Sequence, residues 1–201
     1  SLAIDVMGAD KGPAIIINGA DIISKKFKMN FKFVGNESLI KPLINKSKYL
    51  KESEIIHSNE FVKADEKPSK ALRQGQNTSM RICIDLLKEK KVDAVVSAGN
   101  TGALMSISYL ILRPISGISR PAMVAYFPTL KGETAMLDLG ANIECDSKNL
   151  VDFALMGSAF SRIVLRSVKP TVGILNVGEE SQKGNVIIHE ASKILANENF
   201  P

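Results

Sequence analysis

The chain has 201 residues, 45% of them hydrophobic and 23% charged, the balance of a soluble globular domain rather than of a disordered, fibrous or disulfide-scaffold chain. Its two cysteines, Cys83 and Cys145, are too few and too far apart for a disulfide framework or a paired-cysteine metal site, and they point to a reducing, cytosolic setting. The net charge of +5 is spread over lysines such as Lys25, Lys26, Lys28, Lys88, Lys90 and Lys91, and with three tyrosines and no tryptophan it offers no base-stacking platform for nucleic acid.

The opening Ser1-Leu2-Ala3-Ile4-Asp5 has none of the features of a signal peptide, and the longest mostly apolar run, Ala103 to Leu112, is about half the ~20 residues a bilayer span needs. In chain order, short apolar runs at 2–6, 31–34, 92–97, 122–127, 134–139 and 171–177 show little alternation, as strands buried on both faces of a parallel sheet do. A shorter candidate strand, Glu54 to His57, lies in the polar stretch 46–70. Between them run helical patterns. Pro13 opens one to about Phe27, and Asn77 or Thr78 caps one whose Met80, Cys83, Ile84 and Leu87 share a face. Thr101 or Gly102 opens the next, which ends before Pro114, and Ser147 caps a longer one to about Arg166. The alternation predicts an α/β fold, a mostly parallel sheet with helices on both faces, formed as a single domain over 1–201. The six residues Pro128 to Glu133 are too few for a crossover helix, so the strands on either side form an antiparallel hairpin. Asn197 to Pro201 breaks the last helix as though another strand followed.

Ligands in open α/β sheets gather where strand ends feed helix N-termini. That rule nominates four loops rich in Gly, Asn, Asp and Ser: 5–13, 97–102, 138–142 and 176–185. In the second, Gly99 and Gly102 let backbone approach an anion while Ser97, Asn100 and Thr101 supply neutral donors. A tight strand-to-helix turn with Thr101 as its cap reads equally well. Lys183, between glutamates and Gly184, reads either as a neutraliser of phosphate or as a solvated loop lysine. The stretch from Lys67-Pro68 through Arg73 to Ser79 reads either as an anion clamp or as a capped surface helix. Neither Walker A nor G-x-G-x-x-G is present, and no G-x-S-x-G. His57 and His189 belong to no metal-ligand or triad spacing, Cys83 falls on an apolar helix face, and Cys145 has no adjacent base.

A set of motifs carries a resemblance. Asp5-Val6-Met7-Gly8-Ala9-Asp10-Lys11-Gly12-Pro13 is followed by Lys67-Pro68, Ala71-Leu72-Arg73 and Thr78-Ser79-Met80, then by Ser97-Ala98-Gly99-Asn100-Thr101-Gly102-Ala103-Leu104-Met105 and Arg120-Pro121-Ala122. Pro128-Thr129, Asp138 with Gly140-Ala141-Asn142, 153–158, Asn176, Gly178-Glu179-Glu180 and Lys183-Gly184-Asn185 complete it. In this combination the sequence resembles the bacterial phosphate acyltransferases of phospholipid synthesis. Ala9 stands where that family usually has a second glycine, Thr78 where it has serine, and Gln76 where lysine is frequent.

The resemblance implies a fold related to the isocitrate/isopropylmalate dehydrogenase and phosphotransacetylase group, with this chain as the N-terminal portion of a longer one. It implies transfer of a fatty acyl group from acyl carrier protein to inorganic phosphate, with no metal or nicotinamide and no nucleic acid, in a cytoplasmic homodimer whose peripheral membrane contact comes from the C-terminal part absent here. A non-catalytic phosphate- or metabolite-binding module on the same fold is the alternative. Lys183, Asn100 and Asp138 are expected to act in catalysis. Asp5, Gly8, Asp10, Gly12, Arg73, Ser79, Ser97, Gly99, Thr101, Gly102, Asn142, Asn176, Gly178, Glu179 and Gly184 are expected to bind substrate and phosphate.

Overall fold

The computed structural model describes residues 1–130, 132–178, 180 and 182–197. The chain divides into two compact units, Ser1–Arg113 and Pro114–Pro201.

The first unit is built on a four-stranded, wholly parallel sheet in the order β3-β2-β1-β4. Its strands are β1 (Leu2–Asp5), β2 (Phe31–Gly35), β3 (Glu54–His57) and β4 (Ala94–Ser97). Between them lie α1 (Pro13–Ser24), α2 (Glu37–Ile44), α3 (Pro68–Gln74) and α4 (Ser79–Lys88), and α5 (Thr101–Leu112) follows β4. Period-two alternation decides which helix covers which face. Ile4, Phe31 and Phe33 pack with Ile17 and Ala20 of α1 and Ile40 and Ile44 of α2. Ala3 and Val34 turn the other way, onto Cys83 and Leu86 of α4. A third cluster joins Met80 and Ile84 of α4 to Ala103, Ile107 and Ile111 of α5, with Val62 and Ala71. The expected doubly covered parallel sheet is therefore present in this unit.

Helix starts follow local chemistry. Gly12 precedes α1 at φ 73°, a conformation that favours glycine, and hands over to Pro13 in the first turn. Thr78 caps α4 through its hydroxyl. The helix 37–44, not foreseen because Pro42 sits inside it, starts from the Asn36 side chain, which accepts from the Ser38 amide at 3.0 Å. The Pro68 stretch forms α3, a short helix of its own.

The second unit holds β5 (Val124–Thr129), β6 (Gly132–Leu137), α6 (Ser147–Ile163) and α7 (Val186–Asn197). The hairpin is antiparallel as expected, but it forms a separate two-stranded sheet, and Thr129 pairs with Gly132, so the strands run further into the connection than the sequence suggested. The cap of α6 is Asp146 rather than Ser147. Its carboxylate accepts from the Asn149 amide at 2.7 Å while the Asn149 side chain accepts from the Asp146 amide, a reciprocal box closed to Ser147, whose third residue on is the apolar Leu150. The strand expected at 171–177 is absent: no neighbouring strand among the described residues offers it a ladder, and Leu175 and Val177 stand exposed. Part of the expected break at 197–201 lies outside the described residues.

Candidate functional site

In the first unit the chain lays down β1, β2 and β3 in one direction and then returns to place β4 on the other side of β1. The carboxyl ends of β1 and β4 thus diverge at a topological switch point, the place where open α/β sheets bind ligands. Asp5 and Ser97 are register partners at that edge. The loops beyond them, 6–12 and 98–100, touch through glycine: a Cβ placed on Gly8 would lie 3.1 Å from the Gly99 Cα, and one on Gly99 3.3 Å from the Gly8 Cα. No side chain fits between the two backbones without moving them.

Below this contact the Asp5 carboxylate is buried and fully engaged. It accepts from the Ser79 hydroxyl at 2.6 Å, the Ser97 hydroxyl at 2.7 Å and the Met7 amide at 3.3 Å, and the Ser97 hydroxyl in turn accepts from the Gly99 amide. One carboxylate therefore ties together β1, β4, the first turn of α4 and both loops. Its negative charge also adds to burial in pushing the Cys83 thiol far up, which keeps that cysteine a neutral core group.

Asn100, not Thr101, caps α5. Its Oδ1 accepts from the Ala103 amide at 2.9 Å, while its Nδ2 donates to the carbonyls of Lys63, Ala64 and Glu66. Threonine has an oxygen for the first task and no second donor for the others. With Asn100 doing this, the amides of Gly8, Thr101 and Gly102 have no hydrogen-bond partner among the described residues. Pro68 closes in on the same loop, its Cγ 2.9 Å from where a Gly102 Cβ would stand. Asp10 and Arg73 are exposed, Arg73 donating through Nε to the Ser69 carbonyl at 3.2 Å. The first unit thus assembles Asp5, Gly8, Asp10, Gly12, Ser79, Ser97, Gly99, Asn100, Thr101 and Gly102 at the carboxyl edge of its sheet and the starts of its helices.

The remaining candidates belong to the second unit. Asp138 is a hub of hydrogen bonds. Its carboxylate accepts from the amides of Met123 at 3.0 Å, Ala141 at 3.3 Å and Asn142 at 2.7 Å, and from the Asn142 side chain, which also donates to the Pro121 carbonyl. Burial pushes this carboxyl up, and the four hydrogen bonds together overrule it, so it sits below the ordinary carboxylate range. Asn176 closes its loop, donating to the Lys183 carbonyl at 3.1 Å and filling the space beside Gly184, while the Lys183 stem crosses Gly178. Glu179 lies outside the described residues. Cys145 is free and half-buried; burial and then Asp138 push its thiol up, against a nucleophilic role. His57, as a sequence reading without ligand spacing allows, accepts from the Glu37 amide at the start of α2. Among the described residues no cluster of three or more His, Cys, Asp or Glu could hold a metal ion, and no helix is long and apolar enough to cross a membrane.

Sequence reasoning missed that the backbone carbonyls of Lys63, Ala64 and Glu66 anchor the Asn100 loop, because 62–66 reads as part of a polar stretch; the signal that could have found it is Asn100, whose side-chain amide needs acceptors. A wholly parallel sheet with glycine-rich loops at its switch point makes the first unit an open α/β protein of the kind that takes ligands at its strand ends. Residues 1–200 match the family described as fatty acid synthesis protein, and the chain belongs to that family. Its similar relatives include proteins named phosphate acyltransferase from Rhodospirillum centenum (49% identical, covering 96% of this chain and 55% of the relative), Parvibaculum lavamentivorans (45%, covering 100% and 56%) and Paramagnetospirillum magneticum (41%, covering 100% and 58%). The chain spans about half the length of the curated relatives it matches.

Proposed function

We propose that the protein transfers a fatty acyl group from the thioester of an acyl carrier protein to inorganic phosphate, giving acyl phosphate for phosphatidic acid and phospholipid synthesis. The observation that carries this reading is the pair of touching glycine loops at the β1/β4 switch point, where among the described residues the Gly8 amide and, at the start of a twelve-residue helix, the Thr101 and Gly102 amides have no partner. Such amides and the positive end of the helix dipole suit a phosphate dianion. The names of the relatives supply the reaction that fits it.

The chemistry asks little of side-chain nucleophiles, because phosphate itself attacks. A hydrogen phosphate oxygen bonds to the thioester carbonyl carbon, and the carbonyl oxygen becomes an oxyanion. The C–S bond then breaks, the acyl group stays on phosphate, and the proton of hydrogen phosphate ends on the departing thiol. Backbone amides hold the phosphate in line and stabilise the oxyanion without reorganising. On this reading Asn100 and Asp138 are positioning residues, since their side chains are taken up by hydrogen bonds to the protein's own backbone. In the first unit Arg73 serves as a charge partner and Asp10 as a substrate contact; in the second unit Lys183 serves as a charge partner, with Asn142, Asn176, Gly178 and Gly184 as substrate contacts. The complete enzyme adopts a fold related to the isocitrate/isopropylmalate dehydrogenase and phosphotransacetylase group and works as a cytoplasmic homodimer, with peripheral membrane contact through residues beyond this chain.

Incubating the complete polypeptide with long-chain acyl carrier protein and phosphate, and trapping the product with hydroxylamine, tests the reaction. Acyl phosphate forming in step with phosphate-dependent thiol release is the expected result. Phosphate binding without transfer assigns instead the non-catalytic module.

A further inference from the structure

The wall that Asn100 draws against the glycine loops carries an unusual set of side chains. Segment 61–73 presents Lys63, Lys67, Lys70 and Arg73, all exposed, and among the described residues none of the four is in an ion pair. Asp65 and Glu66 lie between them, and the segment keeps a net positive charge. Phe61 opens it, 42% exposed, beside Val62, which is buried in the core under α4 and α5. The backbone carrying these groups is not free to drift. Three of its carbonyls, at Lys63, Ala64 and Glu66, accept from Asn100, and Pro68 is wedged against Gly102.

We propose that this rim, centred on Lys63, Lys67 and Lys70 with Phe61 as its apolar anchor, is the docking surface for an acidic carrier protein that presents its thioester to the neighbouring loops. The proposal rests on the acyl-transfer reading above. The cations are spread over the eight residues 63–70 of a loop and a short helix, and suit a row of carboxylates on a partner. Unpaired exposed cations around an apolar contact steer an oppositely charged protein and set its orientation more than they hold it. Fixing them to the same loop that cradles the anion places the carrier beside the reacting phosphate. A second lysine-rich surface of this unit, Lys26 and Lys28 with Lys48 next to Tyr49, lies by the chain's entry to β2. That is the far end of α1, a helix of twelve residues and so about 18 Å, from the loops, and a carrier seated there is remote from them.

The two surfaces give a matched test. In the complete polypeptide, the triple variant Lys63→Glu, Lys67→Glu, Lys70→Glu is compared with Lys26→Glu, Lys28→Glu, Lys48→Glu, which carries the same change in net charge. Anisotropy of a labelled apo carrier protein reads binding, and steady-state kinetics with acyl carrier protein and with acyl-coenzyme A read transfer. The expected result is carrier binding weakened about tenfold and KM for the carrier thioester raised in step by the rim variant alone, with kcat and the coenzyme A reaction unchanged. Equal effects of both triples, or carrier binding indifferent to the rim, overturns the docking surface. Rim-dependent carrier binding without acyl phosphate from either donor leaves the docking surface standing and removes the acyl-transfer reading.

Discussion

A single buried carboxylate organises the candidate site. Asp5 is 2% exposed and receives two hydroxyls and an amide, and hydrogen bonds to a charged group are worth about 1.5–3 kcal/mol each. Ser79→Ala is therefore expected to lower unfolding free energy by about 2 kcal/mol in urea titration. Ser97→Ala, which also frees the Gly99 amide, is expected to lose at least as much and to reduce phosphate affinity besides. Asp138 plays the corresponding part in the second unit, and there pH reveals it. Its folded carboxyl lies below the ordinary value of 3.8, so its contribution is complete above that value and disappears as pH falls through the lower folded one. Asp152, which burial pushes up but the Ser119 amide and hydroxyl and the Lys148 ammonium together pull below the ordinary value, behaves in the same sense. In Asp138→Asn the loss of stability on acidification is expected to be shallower than in the unsubstituted protein; an unchanged acid limb in denaturant titrations from pH 5 to pH 2 contradicts the assignment. For Lys183→Ala the expected outcome is a fall in turnover of roughly 10²-fold, the scale of one lost oxyanion donor.

At the level of elements, most of the first unit is legible in the residues. The runs 2–6 and 31–34 are apolar enough and short enough to be read as buried strands and Glu54 to His57 as a short candidate strand, and Pro13, Thr78 and Pro114 punctuate helices by rules local to the backbone. What escaped reading depends on distance in sequence. The Asn100 cap is chosen by acceptors more than thirty residues upstream, the helix around Pro42 by burial of Ile40 and Ile44, and the fate of 171–177 by whether a partner strand lies beside it. The loops themselves were visible as glycine-rich strand ends, but their meeting through Gly8 and Gly99 follows from strand order, which no local pattern encodes. That contact predicts a clean phenotype. Gly8→Val has to push the Gly99 backbone away, so phosphate-dependent turnover is expected to drop about a hundredfold while circular dichroism reports a folded protein. Retention of full turnover contradicts the close approach.

Across the whole molecule the two units differ in how much they bury. Among the described residues the three buried apolar clusters all lie in Ser1–Arg113, whereas in the second unit Ile143, Val168, Leu175 and Val177 are almost wholly exposed. Native-state hydrogen exchange is expected to show deeper protection for β1, β2 and β4 than for β5 and β6. The order places the rigid amides of the glycine loops on the stable unit, as a preorganised anion site requires. The most direct check of that site is an amide-resolved NMR titration of the protein with inorganic phosphate at constant ionic strength. The resonances of Gly8, Gly99, Thr101 and Gly102 are predicted to shift together and saturably, and not with chloride; shifts confined to other residues, or none at these four, contradict the account.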